Sequence, residues 1–395
     1  MILTKKINFL VGNLKLSNKP SEPFGKEECD FLDEFSKKLA KHKLISFYPD
    51  LKALSFWCRK KNILQFKNEI IDKKFRTGLG LLFHITPSNV PTNFFYSMAF
   101  GLLSGNSNLV KVPSKNFEQI KIICTLMKKI LKNKKIKNKI SIIKYEDNPD
   151  FTKKISSFCD GRLIWGSSDT IQKIKEYKTN DRSIDLAFTN RFSFSAINSK
   201  KIITSSLKSL SFLVKNFYND TYLYDQNACT SPHLIIWMGN KKDTIIAKKK
   251  FWNLLLSVVK KRYKISNFAI TDKLHNLDKF IIDNKNIKKI KNYDNLINIV
   301  ELTNLKNFSH NSKGRWGLFF EVELKNLNLL SPKINKYYQT LTYFGFNKNF
   351  FINYLNKNKV RGIDRIVPIG RSMDMNFYWD GFDLKNILTK VIEIK

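Results

Sequence analysis

The chain has 395 residues, 43% of them hydrophobic and 13% aromatic, with only 10 Pro and 15 Gly. That composition excludes a disordered, collagen-like or linker-rich polypeptide and allows roughly two or three domains with buried cores. A formal charge of +37 would attract polyanions, but 60 of the 70 basic residues are Lys and only 10 are Arg. Lys is the poorer bidentate partner for phosphates and bases, and its abundance alongside Asn and Ile resembles the residue usage of AT-rich coding. We read the charge as diffuse surface charge and expect no specific nucleic-acid partner; a basic nucleic-acid-binding protein is the non-enzymatic alternative.

Taken in chain order, residues 1–75 read as a mixed, largely helical segment, clearest over Glu27–Lys43 and followed by the aromatic stretch Phe47–Trp57. From Gly78 the pattern changes. GLGLLFHI (78–85) is an apolar run ending in the turn TPSNVP, NFFYSMAFGLLSG (93–105) has helical length, and NLVKV (108–112) is a second buried strand. A Lys-rich helix (116–133), strands over 139–145 and 162–166 with a short helix between them, and strands over 184–188 and 192–197 complete the first half. Strands alternating with helices argue for a parallel sheet covered on both faces. The second half has a helix over 203–217, a polar loop DQNACTSPH (225–233), a strand LIIWM and a long amphipathic helix over 243–263. Lys alternating with Ile over 281–312 predicts solvated faces of real elements, not a linker. There is no internal repeat, and a domain boundary is expected near 199–202.

Five cysteines are scattered with no CxxC pair and no His cluster, so neither a disulfide framework nor a zinc site is indicated. The first 20 residues make a poor signal peptide and no uncharged apolar run nears 18 residues. The expectation is a cytoplasmic protein with no membrane span and no bound metal.

Three stretches could carry chemistry. Cys229 lies among small and polar residues in a loop that enters an apolar strand, where a thiolate could face a cleft; a small buried hydrophobe is the plain alternative. In TPSNVP (86–91), Asn89 between two prolines is either part of an ordinary turn or a fixed amide donor for an oxyanion. GSSDTI (166–171) ends a strand and opens a helix, so it could receive a phosphate, or simply carry an N-cap at Ser168 or Asp169.

In combination these stretches resemble the aldehyde dehydrogenase superfamily. HITPSNVPTNFFYSMAFGLLSGNSNLVKVPS, DQNACTSP and RGIDRIVPIGRSMDMNFYWDGFDL (361–384) are similar to its acyl-CoA reductase, LuxC-type branch, over about 78–384, with 240–330 poorly marked. The resemblance implies an α/β fold: an N-terminal segment (1–75), a Rossmann-like NADP-binding domain (76–200), a catalytic domain with the nucleophilic Cys (201–360) and a closing or oligomerisation segment (361–395). It implies Cys229 as nucleophile and Asn89 as oxyanion donor, beside the Cys229 backbone N–H. Lys111 corresponds to the lysine approaching the adenosine ribose, and Gly166 and Ser167 to the turn meeting the cofactor pyrophosphate. Ser114 and Lys115 stand where NAD-preferring relatives carry an acidic residue, which favours a 2′-phosphate and therefore NADPH.

The implied reaction is NADPH-dependent reduction of an activated fatty acyl group, an acyl-CoA or acyl-protein thioester, to the aldehyde through a Cys229 thioacyl intermediate. The implied assembly is a homo-oligomer, alongside a fatty-acid-activating enzyme that hands over the acyl group. Hydrolytic aldehyde dehydrogenases carry a water-activating Glu in the strand before the Cys loop. IDLAFTNRFSFSAI has none, and its one carboxylate is Asp185, which favours reduction over hydrolysis. The same fold run oxidatively, as a CoA-acylating aldehyde dehydrogenase, is the enzymatic alternative. What deprotonates Cys229 is left open, with neither His84 nor His233 assigned. Asp364, Arg365, Trp379 and Asp380 could lock the C-terminal segment or touch substrate.

Overall fold

The computed structural model describes residues 7–70, 74–146 and 148–395; residues 1–6 and 71–73 of the N-terminal segment lie outside the described residues. The chain divides into two compact units. One comprises the residues up to Asn190 together with Met375–Lys395, the other Arg191–Asp374. The architecture is α/β throughout.

The first unit is built on a six-stranded sheet, in spatial order Asn8–Val11, Ile140–Lys144, Ser107–Lys111, Leu81–Ile85, Gly161–Trp165 and Ile184–Phe188. All neighbours are parallel except the edge pair Asn8–Val11 and Ile140–Lys144. Leu81–Ile85 is buried at every position, as an inner parallel strand covered on both faces must be, and so it reads as a continuous apolar run. The parallel part of the sheet starts at that strand, steps outward on one side, then returns to place Gly161–Trp165 on the other. The order therefore reverses between Leu81–Ile85 and Gly161–Trp165, a topological switch point.

The covering helices follow from their sequences. Asn93–Leu103 is buried along its whole length and packs by aromatic contact, Phe95 stacking on Phe35 at 4.3 Å. Its Gly101 is where the helix closes on the sheet: a Cβ there would come within 2.0 Å of the Asn108 Oδ1. The Lys-rich stretch forms the helix Glu118–Leu131, which buries Ile120, Ile123, Met127 and Ile130 and leaves Lys121, Lys128 and Lys129 in solvent. The C-terminal segment is part of this unit. Phe377 sits against Phe24, Phe66 and Phe100, and Thr389–Val391 pairs antiparallel with Arg76–Gly78.

The second unit carries a seven-stranded sheet, in order Ile287–Tyr293, Ile297–Leu302, Leu318–Leu324, Pro232–Met238, Phe192–Asn198, Tyr338–Phe344 and Arg365–Pro368. Only the edge pair Ile287–Tyr293 and Ile297–Leu302 is antiparallel. The Lys/Asn-rich 281–312 region thus contains two strands. The single helix expected over 203–217 is two, Ser199–Thr204 and Leu207–Thr221. The break is at Ser205–Ser206, where the Ser206 hydroxyl accepts the Ser209 N–H at 3.2 Å and caps the second helix. Among the described residues no helix is long and apolar enough to cross a membrane, and no group of three or more His, Cys, Asp or Glu could hold a metal ion.

Candidate active site

Cys229 stands apart from the other four cysteines. Those are buried, and burial pushes the Cys29 thiol up to about 11, those of Cys124 and Cys159 up to about 12, and that of Cys58 well up, so they are inert at neutral pH. Cys229 is half-exposed. It sits in a tight turn, closed by the Ser231 N–H donating to the Ala228 carbonyl at 2.9 Å, just before the strand Pro232–Met238.

The approach to that turn is held out of ordinary backbone geometry. Asp225 and Gln226, consecutive and neither of them glycine, both take left-handed conformations, with φ of 53° and 61°. Side chains fix them there. Asp225 accepts the Tyr263 hydroxyl at 2.6 Å. Gln226 donates to the carbonyls of Leu318 and Pro232 and accepts the Gly317 N–H at 3.0 Å. Beyond it, the Cys229 carbonyl accepts the Ser193 hydroxyl at 2.7 Å, and that hydroxyl also accepts the Thr340 N–H at 3.2 Å. The turn bearing the thiol is thereby tied to three neighbouring strands.

Strand Pro232–Met238 runs parallel to Leu318–Leu324, so the segments preceding the two strands lie side by side at one edge of the sheet. The Trp316 N–H donates to the Asp225 carbonyl at 3.2 Å, and Lys313 in the same segment lies within electrostatic reach of Cys229. Reading the sequence did not single out Lys313. It falls in the poorly marked 240–330 region, and only the flanking Gly314 and Gly317 of SKGRWG hint at a tight approach.

The remaining sequence candidates lie on the first unit, at the C-terminal edge of its sheet. Asn89 is exposed in the turn that follows Leu81–Ile85. Lys111 ends its strand with Nζ 4.5 Å from the Tyr145 ring centre, and Ser114 and Lys115 are exposed just beyond it. Gly166 and Ser167 follow Gly161–Trp165, and Ser167 itself is the N-cap of the helix Ser168–Lys175, accepting the Thr170 N–H at 3.3 Å. The cap is therefore one residue before Ser168 and two before Asp169. Asn89, Gly166 and Ser167 follow the two strands on either side of the switch point.

His84 and Asp185 are engaged structurally. His84 is buried between the Ser97 hydroxyl at 2.8 Å and Asn108 Oδ1 at 2.9 Å, and burial lowers its pKa to about 4. His233 is likewise buried, which with the nearby Lys313 pushes it down to about 3. Asp185 accepts both prongs of the buried Arg162, at 2.7 and 2.6 Å. In the C-terminal signature Asp364 pairs with Arg191, and Arg365 donates to the carbonyls of Ser372, Arg371 and Asp374. Asp220 meanwhile accepts the N–H groups of Gly370 and Ser372. Arg365 thus holds backbone in place, and Asp364 is engaged by the Arg191 side chain.

This is the fold of the aldehyde dehydrogenases. Aldehyde dehydrogenase 21 from Physcomitrella patens shares it with a TM-score of 0.66 at 11% identity, over 93% of this chain and 85% of that one. A Thermus 1-pyrroline-5-carboxylate dehydrogenase with bound NAD matches with a TM-score of 0.61 at 10% identity, over 93% and 80%. Within that class the sequence is more specific. A family model described as acyl-CoA reductase (LuxC) matches residues 37–293, and the chain belongs to this family. A long-chain acyl-protein thioester reductase from Photorhabdus laumondii is 24% identical over 203 residues, 50% of this chain. The match spans only 40% of that relative's length.

Proposed function

We propose that the chain reduces an activated fatty acyl group, carried as a thioester on CoA or on a partner protein, to the aldehyde, with NADPH as reductant. The observation that carries this reading is the setting of Cys229: half-exposed, on a turn fixed by Ser193 and Gln226, in a chain whose other cysteines are buried. Membership of the acyl-CoA reductase family supports the same reaction. The Photorhabdus relative's name favours an acyl-protein thioester as one donor.

The first unit's residues fit a nicotinamide dinucleotide. Open α/β sheets bind such ligands outside the carboxyl ends of their strands at the switch point, which here is flanked by Asn89 and by Gly166–Ser167. The N-terminus of the helix Ser168–Lys175 suits a pyrophosphate, Lys111 a ribose, and exposed Lys115 a 2′-phosphate. The dinucleotide, when bound, supplies hydride. The protein's part begins with Cys229 Sγ attacking the thioester carbonyl, whose oxyanion takes a hydrogen bond from the Cys229 N–H. The donor thiolate then leaves. Once hydride has reached the S-acyl carbon, the C–S bond breaks, Cys229 departs as thiolate and the aldehyde is free. Asp185, held by Arg162, is not available to activate water, in keeping with a thioester that is reduced and not hydrolysed.

The test is intact mass after acyl-CoA treatment, with and without NADPH, on wild type and Cys229→Ala. The expected result is an acyl adduct on wild type that NADPH discharges as aldehyde, and none on Cys229→Ala. No NADPH consumption and no adduct on wild type would overturn the proposal.

A further inference from the structure

One stretch of the signature RGIDRIVPIGRSMDMNFYWDGFDL lies on the nucleophile turn. Thr230, the residue after Cys229, is buried, and its hydroxyl donates to Met373 Sδ at 3.2 Å. Consecutive Cα atoms are only about 3.8 Å apart, so this contact bears directly on the residue that carries the thiol. Cys229 itself is held by Ser193, whose hydroxyl donates to the Cys229 carbonyl at 2.7 Å. The turn is thus gripped at two successive residues, by a strand hydroxyl and by a thioether from a distant loop.

The loop Ile369–Asp374, which presents Met373, is pinned along its length. The Ile369 N–H donates to the Tyr343 carbonyl at 3.0 Å. Asp220 accepts the Gly370 N–H at 2.6 Å and the Ser372 N–H at 3.1 Å. Arg365 donates to the carbonyls of Ser372 at 3.0 Å, Arg371 at 3.3 Å and Asp374 at 3.0 Å. Gly370, with φ of 98°, closes on Asn216, and a Cβ there would come within 2.6 Å of the Asn216 Cβ. Asp220 is 1% exposed, and among the described residues no cation pairs with it. Burying a carboxylate without a counter-ion is costly, and what it secures here is this loop. Asp220 lies in the last turn of the helix Leu207–Thr221, which runs on into the nucleophile loop, so the two loops share an anchor.

We propose that Met373 is a positioning residue for the nucleophile: its sulfur, set in place by Asp220 and Arg365, fixes Thr230 and with it the direction from which Cys229 Sγ meets an acyl carbonyl. Met373 acts through Thr230. A misplacement of about 1 Å is enough to slow an aligned attack severely. The inference deepens the thioester-reductase reading and rests on it for the acyl donor.

The test compares acylation of Cys229 by p-nitrophenyl octanoate with its alkylation by iodoacetamide. The full chain is used as wild type, Met373→Leu, Met373→Gln, Thr230→Val and the Thr230→Val/Met373→Leu double variant. Peptide mass locates each adduct, and protection of the four buried cysteines reports folding. Attack on a carbonyl depends on approach direction, whereas alkylation by a small reagent depends on it far less. Met373→Leu and Thr230→Val should each slow acylation about five- to tenfold while alkylation stays within about twofold. Met373→Gln, whose amide oxygen can accept the Thr230 hydroxyl, should recover most of the rate. The double variant should be no slower than either single one, because both remove one contact. Unchanged acylation in the folded single variants, equal slowing of both reactions, or additive losses overturn the positioning role, as does the absence of any ester adduct on wild-type Cys229. An ester adduct on wild type without any adduct from acyl-CoA leaves the positioning role standing and overturns the reductase reading instead.

Discussion

His84 offers a quantitative check on the strand that leads into the Asn89 turn. Its neighbours dictate one proton arrangement. The Trp165 indole donates to the Ser97 Oγ at 3.2 Å, which leaves the Ser97 O–H to donate to His84 Nδ1. His84 Nε2–H then donates to Asn108 Oδ1, whose amide nitrogen donates to the Asn106 carbonyl at 2.9 Å. In this arrangement the imidazole is neutral, with its proton on Nε2 and with Nδ1 accepting the Ser97 hydroxyl. Burial lowers the folded pKa from 6.5 to about 4. A depressed folded pKa means that the unfolded chain binds the proton first. The stability is therefore present above about pH 6.5 and lost as pH falls through about 4. By pH 4 the loss is about 3 kcal/mol, because each tenfold difference in proton affinity between the folded and unfolded chain is worth about 1.4 kcal/mol. Urea unfolding of wild type and His84→Gln from pH 7.5 to 4 isolates it, because other groups titrate in both. At pH 7.5 the variant should be less stable by about 1–3 kcal/mol, from the partners left unmet. By pH 4 that gap should close or invert. A pH-independent gap would refute the argument.

The first unit's cofactor assignments separate by two further variants. Ser167→Ala should cost about 1 kcal/mol of stability through the lost cap and leave the KM for NADPH within a few-fold. Ser167→Asp should keep the cap and raise that KM at least about tenfold, because a carboxylate would face the pyrophosphate; calorimetry with steady-state kinetics reads both. Lys115→Glu should shift the NADPH-to-NADH ratio of kcat/KM toward NADH by about tenfold or more, equivalent to about 1.4 kcal/mol. An unchanged ratio would remove Lys115 from 2′-phosphate recognition.

Legibility in the sequence follows what is local. Ile184–Phe188 and the inner strands of the first sheet are readable because each is a short apolar run between turn residues. The break at Ser205–Ser206 is harder, since Ile203, Leu207, Leu210 and Val214 keep a helical spacing across it and only the cap marks the restart. Cys229 is legible as a residue in a polar loop, but the left-handed pair Asp225–Gln226 is not, because neither type favours that conformation in the way Gly does. What holds the pair lies elsewhere in the chain, at Gly317, Leu318 and Tyr263.

The lysines make the same point more sharply. In composition they are interchangeable, and most are solvated. Pairing Ile287–Tyr293 with Ile297–Leu302, and that strand with Leu318–Leu324, brings Lys288 and Lys291 onto Glu301, with Lys248 among Glu301, Glu321 and Glu323. Glu321 also accepts the indoles of Trp237 and Trp252 at 2.9 and 3.0 Å, so this cluster is neutralised on every side and belongs to the architecture. Lys313, in the loop before Leu318–Leu324, is half-buried and lies outside that cluster. The distinction between these two kinds of lysine is made by parallel strand pairing across distant stretches of chain. Charge counts such as the +37 of this chain do not show it.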